Sequence, residues 1–191
     1  MAQHSNPEDF LTEVLTEYIF TAKMCLDFKK GDDWSVGKGD VIVFPTAALL
    51  FMIVDAIGSW FRGNKNFKIV IDGENRNIIN SGFHHFYIFN SEYYNLDLTE
   101  KQIKIIYDNY RCLLLHNAVL PPRNFINSER LDRKPFDNLI IEGKETYGVF
   151  LIPFYNKTVN ALKKFIKEID NVVPSSDQRK ILDLKAIMKS D

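Results

Sequence analysis

Cysteine is nearly absent: two residues in 191, Cys25 and Cys112, each within an apolar periodic stretch and neither at a metal-ligand spacing. A disulfide scaffold is thereby excluded, and a reducing compartment fits the composition. Histidine is also sparse, with four residues, and no third His, Cys or HExxH accompanies His84 and His85. Adjacent helical positions point about 100° apart, so those two cannot jointly hold one metal ion. One is expected to pack and the other to meet solvent. With nine glycines there is no Gly-rich dinucleotide fingerprint, and the GKG of KKGDDWSVGKGD (29–40) lacks the spacing of a Walker loop. No Gly-x-Ser-x-Gly elbow or catalytic-cysteine signature occurs either. Neither charge sign is in excess: 24 basic residues stand against 25 acidic, a net charge of −1, so no polybasic surface is expected and any nucleic-acid partner has to be held locally. No cofactor and no metal are expected.

Long apolar runs reduce to one, VIVFPTAALLFMIVDAIGSWF (41–61). Its length suits a bilayer, but Asp55 lies deep within it, Pro45 shortens it, and no basic loop orients it. The expected reading is a helix at the centre of a soluble core, with no membrane partner. MAQHSNPEDF has no basic segment leading into an apolar one, so a secretory leader is not expected and the expected location is cytoplasmic.

A hydrophobic content of 46%, with 13% aromatic and 15 Phe, is enough for a packed core, and the length suits a single domain spanning 1–191. Charge is uneven along it. Residues 1–33 carry three Lys against seven acids, and 157–191 carry eight Lys or Arg against five, as solvated faces of terminal helices would.

Helical periodicity dominates the chain. Ser5 or Asn6 can cap a first helix, with Pro7 at its first position and an apolar stripe of Phe10, Leu11, Val14, Leu15, Tyr18, Ile19, Ala22, Cys25 and Leu26. A second helix is expected at 45–61. Thr99 and Gln102 form a capping box for a helix at 99–120, which Pro121 and Pro122 stop. FKIVIDG (67–73) is a short strand or turn signal, and LII and YGVFLI suggest a hairpin at 138–152. PPRNFINSERLDRKPFDN between them reads as a polar loop. A helix at 153–170 follows, and Ser175 with Gln178 caps a short terminal helical extension within 171–191. These counts predict an all-α bundle of four to six helices with a small β-hairpin insertion.

Chemistry narrows to YRCLLLHN. Arg111 offers a fixed fork of donors for phosphate, and His116 can exchange a proton near neutral pH. Together they are what RNA cleavage by its own 2′-hydroxyl requires, without a metal. On a straight helix residues five apart diverge by about 140°, so the pair meets only where the helix ends or bends. The bare spacing would arise by chance roughly 0.4 times in such a composition, so context carries the assignment. The alternative roles are structural: Arg111 tying down the proline loop or Asp55, and His116 capping helix carbonyls. Asp55 itself needs a donor, from a backbone amide, a Tyr or a site cation that it would orient.

The residues 10–170 resemble the HEPN superfamily. The likeness consists of the amphipathic first helix, an apolar second helix ending in DAIGSWFRG, the tyrosine-rich run into YRCLLLHN, a short hairpin, and the closing helix FYNKTVNALKKFI. It implies a HEPN-like up-and-down helical bundle and an Arg, four to six residues, His motif at Arg111 and His116. Catalytic members of that family are metal-independent endoribonucleases, often toxins, acting as dimers; others are noncatalytic nucleic-acid-binding, protein-binding or antitoxin-like modules. The implied roles are phosphate binding by Arg111, general acid or base by His116, positioning of the 2′-hydroxyl or base by Asn117, and a lining role for Tyr110. RNA, a second copy of the chain and an antitoxin or other partner protein are the implied partners. Nuclease members commonly carry Asn, Asp or His after the motif Arg, where this chain has Cys112, so the noncatalytic module stands beside the ribonuclease reading.

Overall fold

Asn6 opens the first helix as its composition predicts: the Asp9 amide donates to Asn6 Oδ1 at 2.7 Å, and Pro7 takes the first helical position. A computed structural model describes residues 6–79, 81–129 and 132–180. Its helices are α1 (Pro7–Asp27), α2 (Val43–Trp60), α3 (Gly82–His85), α4 (Glu100–Ile106), α5 (Leu114–Asn117) and α6 (Leu151–Ser175). Phe86–Asn90 continues α3 as a 3₁₀ turn, and Tyr107–Leu113 joins α4 to α5 as a π-helix. The strands are β1 (Ile69–Ile71), β2 (Glu74–Arg76), β3 (Asn124–Asn127), β4 (Phe136–Ile141) and β5 (Lys144–Phe150).

The fold is mixed α/β, 55% helical and 13% strand with two small sheets, which overturns the expected all-α, HEPN-like bundle. The hairpin of β4 and β5 is where the sequence places it, but it is one side of a three-stranded sheet of order β3-β5-β4. The third strand lies inside the segment read as a polar loop. β3 pairs parallel with β5, Phe125 opposite Gly148 and Ile126 opposite Val149. A Cβ at Gly148 would come within 2.4 Å of the Phe125 ring, so the glycine makes room for it. FKIVIDG also resolves into a hairpin, β1 with β2, whose turn residues Asp72 and Gly73 both have positive φ (52° and 80°). Asp-Gly suits the primed turn that matches strand twist.

The chain divides into two compact units, one made of the described residues of 1–14, 54–104 and 160–191, the other of 15–53 and 105–159. In the first, Phe61 stacks on Phe67 at 3.9 Å and meets Tyr93 and Phe165, and Gly58 on α2 lies against the His85 backbone. A Cβ at Gly58 would sit 2.1 Å from the His85 carbonyl oxygen, so only glycine permits this approach. In the second, Phe51 of α2 is fully buried among Tyr110, Phe136 and Phe154, with ring centroids at 6.2, 6.2 and 5.0 Å.

α2 is long and apolar enough to cross a membrane, and half of it is buried inside the structure. Its interior face is continuous: Ala47, Leu50, Phe51, Ile53, Val54 and Ile57 are fully buried. On α1 the expected stripe is narrower than drawn, with Leu15, Ala22 and Leu26 buried and Phe10 56% exposed. α6 runs through Pro153 in its first turn and five residues beyond the expected end, and the Gln178 amide donates to Ser176 rather than to Ser175. The apolar residues expected in the terminal extension, 181–188, lie outside the described residues.

Candidate functional site

The helix that carries Arg111 and His116 starts as its sequence dictates. The Gln102 amide donates to Thr99 Oγ1 at 3.2 Å and the Thr99 amide to Gln102 Oε1 at 2.9 Å, a reciprocal capping box. After Ile106 the backbone widens into the π-helix Tyr107–Leu113. Two side chains in that segment are anchored outside the helix. Tyr110 is buried, its hydroxyl donating to the Tyr147 carbonyl at 2.7 Å, and Asn109 Nδ2 donates to Asn124 Oδ1 at 3.0 Å. Such wide turns are rare, and they occur often at functional sites.

The turn changes the geometry of the motif. Hydrogen bonding from i to i+5 lags an α-helix, so residues on either side of its end diverge less than the straight-helix figure of about 140°. Arg111 Nη1 lies 2.8 Å from His116 Nε2. The double proline is not what brings them together. The helix ends before it, at Asn117, where Ala118 adopts φ 53° and its amide donates to the Leu114 carbonyl.

Guanidinium has donors only, so Nε2 of His116 accepts this bond and the ring proton sits on Nδ1. The site therefore presents a permanent cation whose guanidinium occupies the basic nitrogen of a neighbouring imidazole. The Arg111 guanidinium also lies 5.8 Å from the Tyr107 ring centroid. His116 is exposed and Arg111 half-buried, so both can meet a large ligand.

The other expected site residues separate by role. Asn117, the last residue of α5, is exposed beside His116 in the chain. Tyr110 is 1% exposed and turned to the strand carbonyls, so it positions the wide turn. Burial pushes its hydroxyl well above the ordinary tyrosine range. Beside the motif an apolar cavity of about 340 Å³ opens between Phe44, Pro45 and Ala48 of α2 and Leu114, Leu115 and Ala118.

Asp55 finds its donor in His85, whose Nδ1 lies 2.7 Å from Asp55 Oδ1. Nothing in local periodicity links residues thirty apart; the usable signal is an acid among apolar neighbours, a half-buried carboxylate that demands a donor. His85 Nε2 is buried without a partner. Next to it, His84 stacks on Tyr87 at 4.9 Å, and the Tyr87 hydroxyl donates to Glu100 Oε1 at 2.5 Å. Both histidines are half-buried, where the sequence suggested one inside and one out. Among the described residues no three His, Cys, Asp or Glu side chains converge as a metal site requires.

Burial holds the His84 pKa below its ordinary 6.5; His85 and Arg76 add to the shift and Glu100 opposes it. The folded chain thus binds a proton here less readily than the unfolded chain. Stability from this group is complete above pH 6.5 and falls as pH drops from there toward the folded pKa. His84→Gln is expected to flatten that part of the curve of unfolding free energy against pH. Parallel curves for variant and wild type would show that other groups set the acid limb.

Comparison with protein-family models, with characterised proteins and with solved structures gives no match.

Proposed function

We propose that the chain is a metal-independent endoribonuclease that uses Arg111 and His116 as the HEPN resemblance of YRCLLLHN implies. The observation that carries the reading is the 2.8 Å bond between Arg111 and His116 on the π-helical turn. A phosphodiester entering this site offers oxygens to the Arg111 fork, which releases Nε2 of His116 for the adjacent 2′-hydroxyl. His116 removes that proton as the 2′-oxygen bonds to phosphorus and the bond to the 5′-oxygen breaks. The imidazolium then protonates the departing 5′-oxygen. A 2′,3′-cyclic phosphate and a 5′-hydroxyl end result. In this reading Asn117 orients the sugar or base.

A second copy of the chain belongs to the same proposal, because a twofold axis can bring a second Arg111 to the phosphate and supply locally the positive potential that a net charge of −1 lacks. Phe20 and Met24 on α1 and Phe28 just past its end, 65%, 57% and 45% exposed, are apolar surface that such a copy can cover. Light scattering is expected to give twice the mass of one chain; the mass of a single chain would remove the dimer.

The deciding assay incubates the protein and a co-purified His116→Ala control with total RNA in EDTA. The expected products carry cyclic phosphate ends and are absent from the control. RNA that binds without being cut would support the noncatalytic module, and cleavage only with added Mg²⁺ would overturn the mechanism.

A further inference from the structure

The cavity beside the motif is lined by six apolar residues, and no side chain among them can donate or accept a hydrogen bond. Leu114 and Leu115 precede His116 in α5, Ala118 follows the last residue of that helix, and Phe44, 55% exposed, lines the cavity from α2. Arg111 precedes Leu114 and Leu115 by three and four residues, so a permanent cation stands about one helical turn from an apolar well with a phenylalanine in its wall. The complementary ligand joins an anionic group to a flat, weakly polar ring, which describes a nucleotide. Resting on the ribonuclease reading, we propose that this cavity is the base subsite of single-stranded RNA, taking the base next to the phosphate held by Arg111.

Two consequences follow from the lining. Stacking and fit, not the hydrogen-bonding edges of the base, select the occupant, so recognition here is tolerant of sequence. Paired RNA cannot enter, because its bases are already stacked and their faces covered.

The test uses a short 2′-O-methyl RNA, which cannot be cut, carrying 2-aminopurine, whose emission reports stacking. Phosphatidylglycerol vesicles are titrated in parallel. Wild type is expected to bind the RNA with a change in emission. Ala48→Phe, which fills the well, and Phe44→Ala, which removes its wall, should each weaken binding by about 10-fold or more. Arg111→Ala should weaken binding while the bound fraction still changes the emission. Thermal unfolding of both well variants checks the fold, and it should be little altered because Phe44 is exposed and the Ala48 side chain lines an open cavity.

The outcomes separate the two proposals. If wild type cuts RNA in EDTA but Ala48→Phe binds as tightly as wild type, the base subsite is overturned and the ribonuclease stands. Binding without a change in emission has the same meaning. If the RNA does not bind and the vesicles do, with loss in Ala48→Phe, the well takes a lipid and the inference falls.

Discussion

His116→Ala is expected to slow RNA cleavage by about 10²- to 10⁴-fold, the usual contribution of a positioned acid or base. The fold should barely notice, because the side chain is exposed and bonds to Arg111. Surface substitutions of that kind stay within about 0.5 kcal/mol. Arg111 is the sharper probe. Arg111→Ala removes both the phosphate fork and the partner that holds Nε2, and losing one such donor typically costs about 10²- to 10³-fold in rate. Arg111→Lys restores the charge but not the planar fork, so it should recover binding more than rate. Full activity in Arg111→Ala would take the guanidinium out of the chemistry.

Phe51→Ala is expected to lose about 3 to 5 kcal/mol, the range for removing a buried Phe. The ring is fully buried, and its neighbours Tyr110, Phe136 and Phe154 come from the π-helix, β4 and α6. Truncation to Ala takes away the ring that those three elements pack against, and a cavity should remain where they relax only in part. Against the roughly 5 to 15 kcal/mol of an ordinary domain, that is about a fifth of the total or more. Urea unfolding should show a lower midpoint with an unchanged slope, and Phe51→Leu a smaller loss. A midpoint within error of wild type would mean that the neighbours repack.

What could be read beforehand was what the chain settles locally. Asn6 and the Thr99–Gln102 box are caps whose partners lie within three residues, and both formed as expected. The β4–β5 hairpin was legible because a turn joins its strands. β3 was not, because a parallel strand takes its hydrogen bonds from a partner about twenty residues away, and NFIN alone has too few apolar residues to show alternation. The Arg111–His116 spacing is legible in the sequence, but the 2.8 Å approach of the two side chains is not, because a divergence of about 140° holds only for a helix of constant pitch. The wide turn depends on where Asn109 and Tyr110 find partners, and those partners lie in β3 and β5. Asp55 was marked as needing a donor, and only the tertiary structure could say that it is His85.

The π-helical turn makes the motif depend on residue count as much as on residue identity. A helix that hydrogen-bonds from i to i+5 holds one residue more than α-geometry would need between the same two points. Deleting a single residue such as Asp108 would let the segment rewind as α-helix, and the half-turn after it would swing by about 100°. Every side chain of the motif would survive such a deletion, but Arg111 and His116 would no longer face each other. Natural variants of this chain should therefore tolerate substitutions within Tyr107–Leu113 more readily than changes in its length.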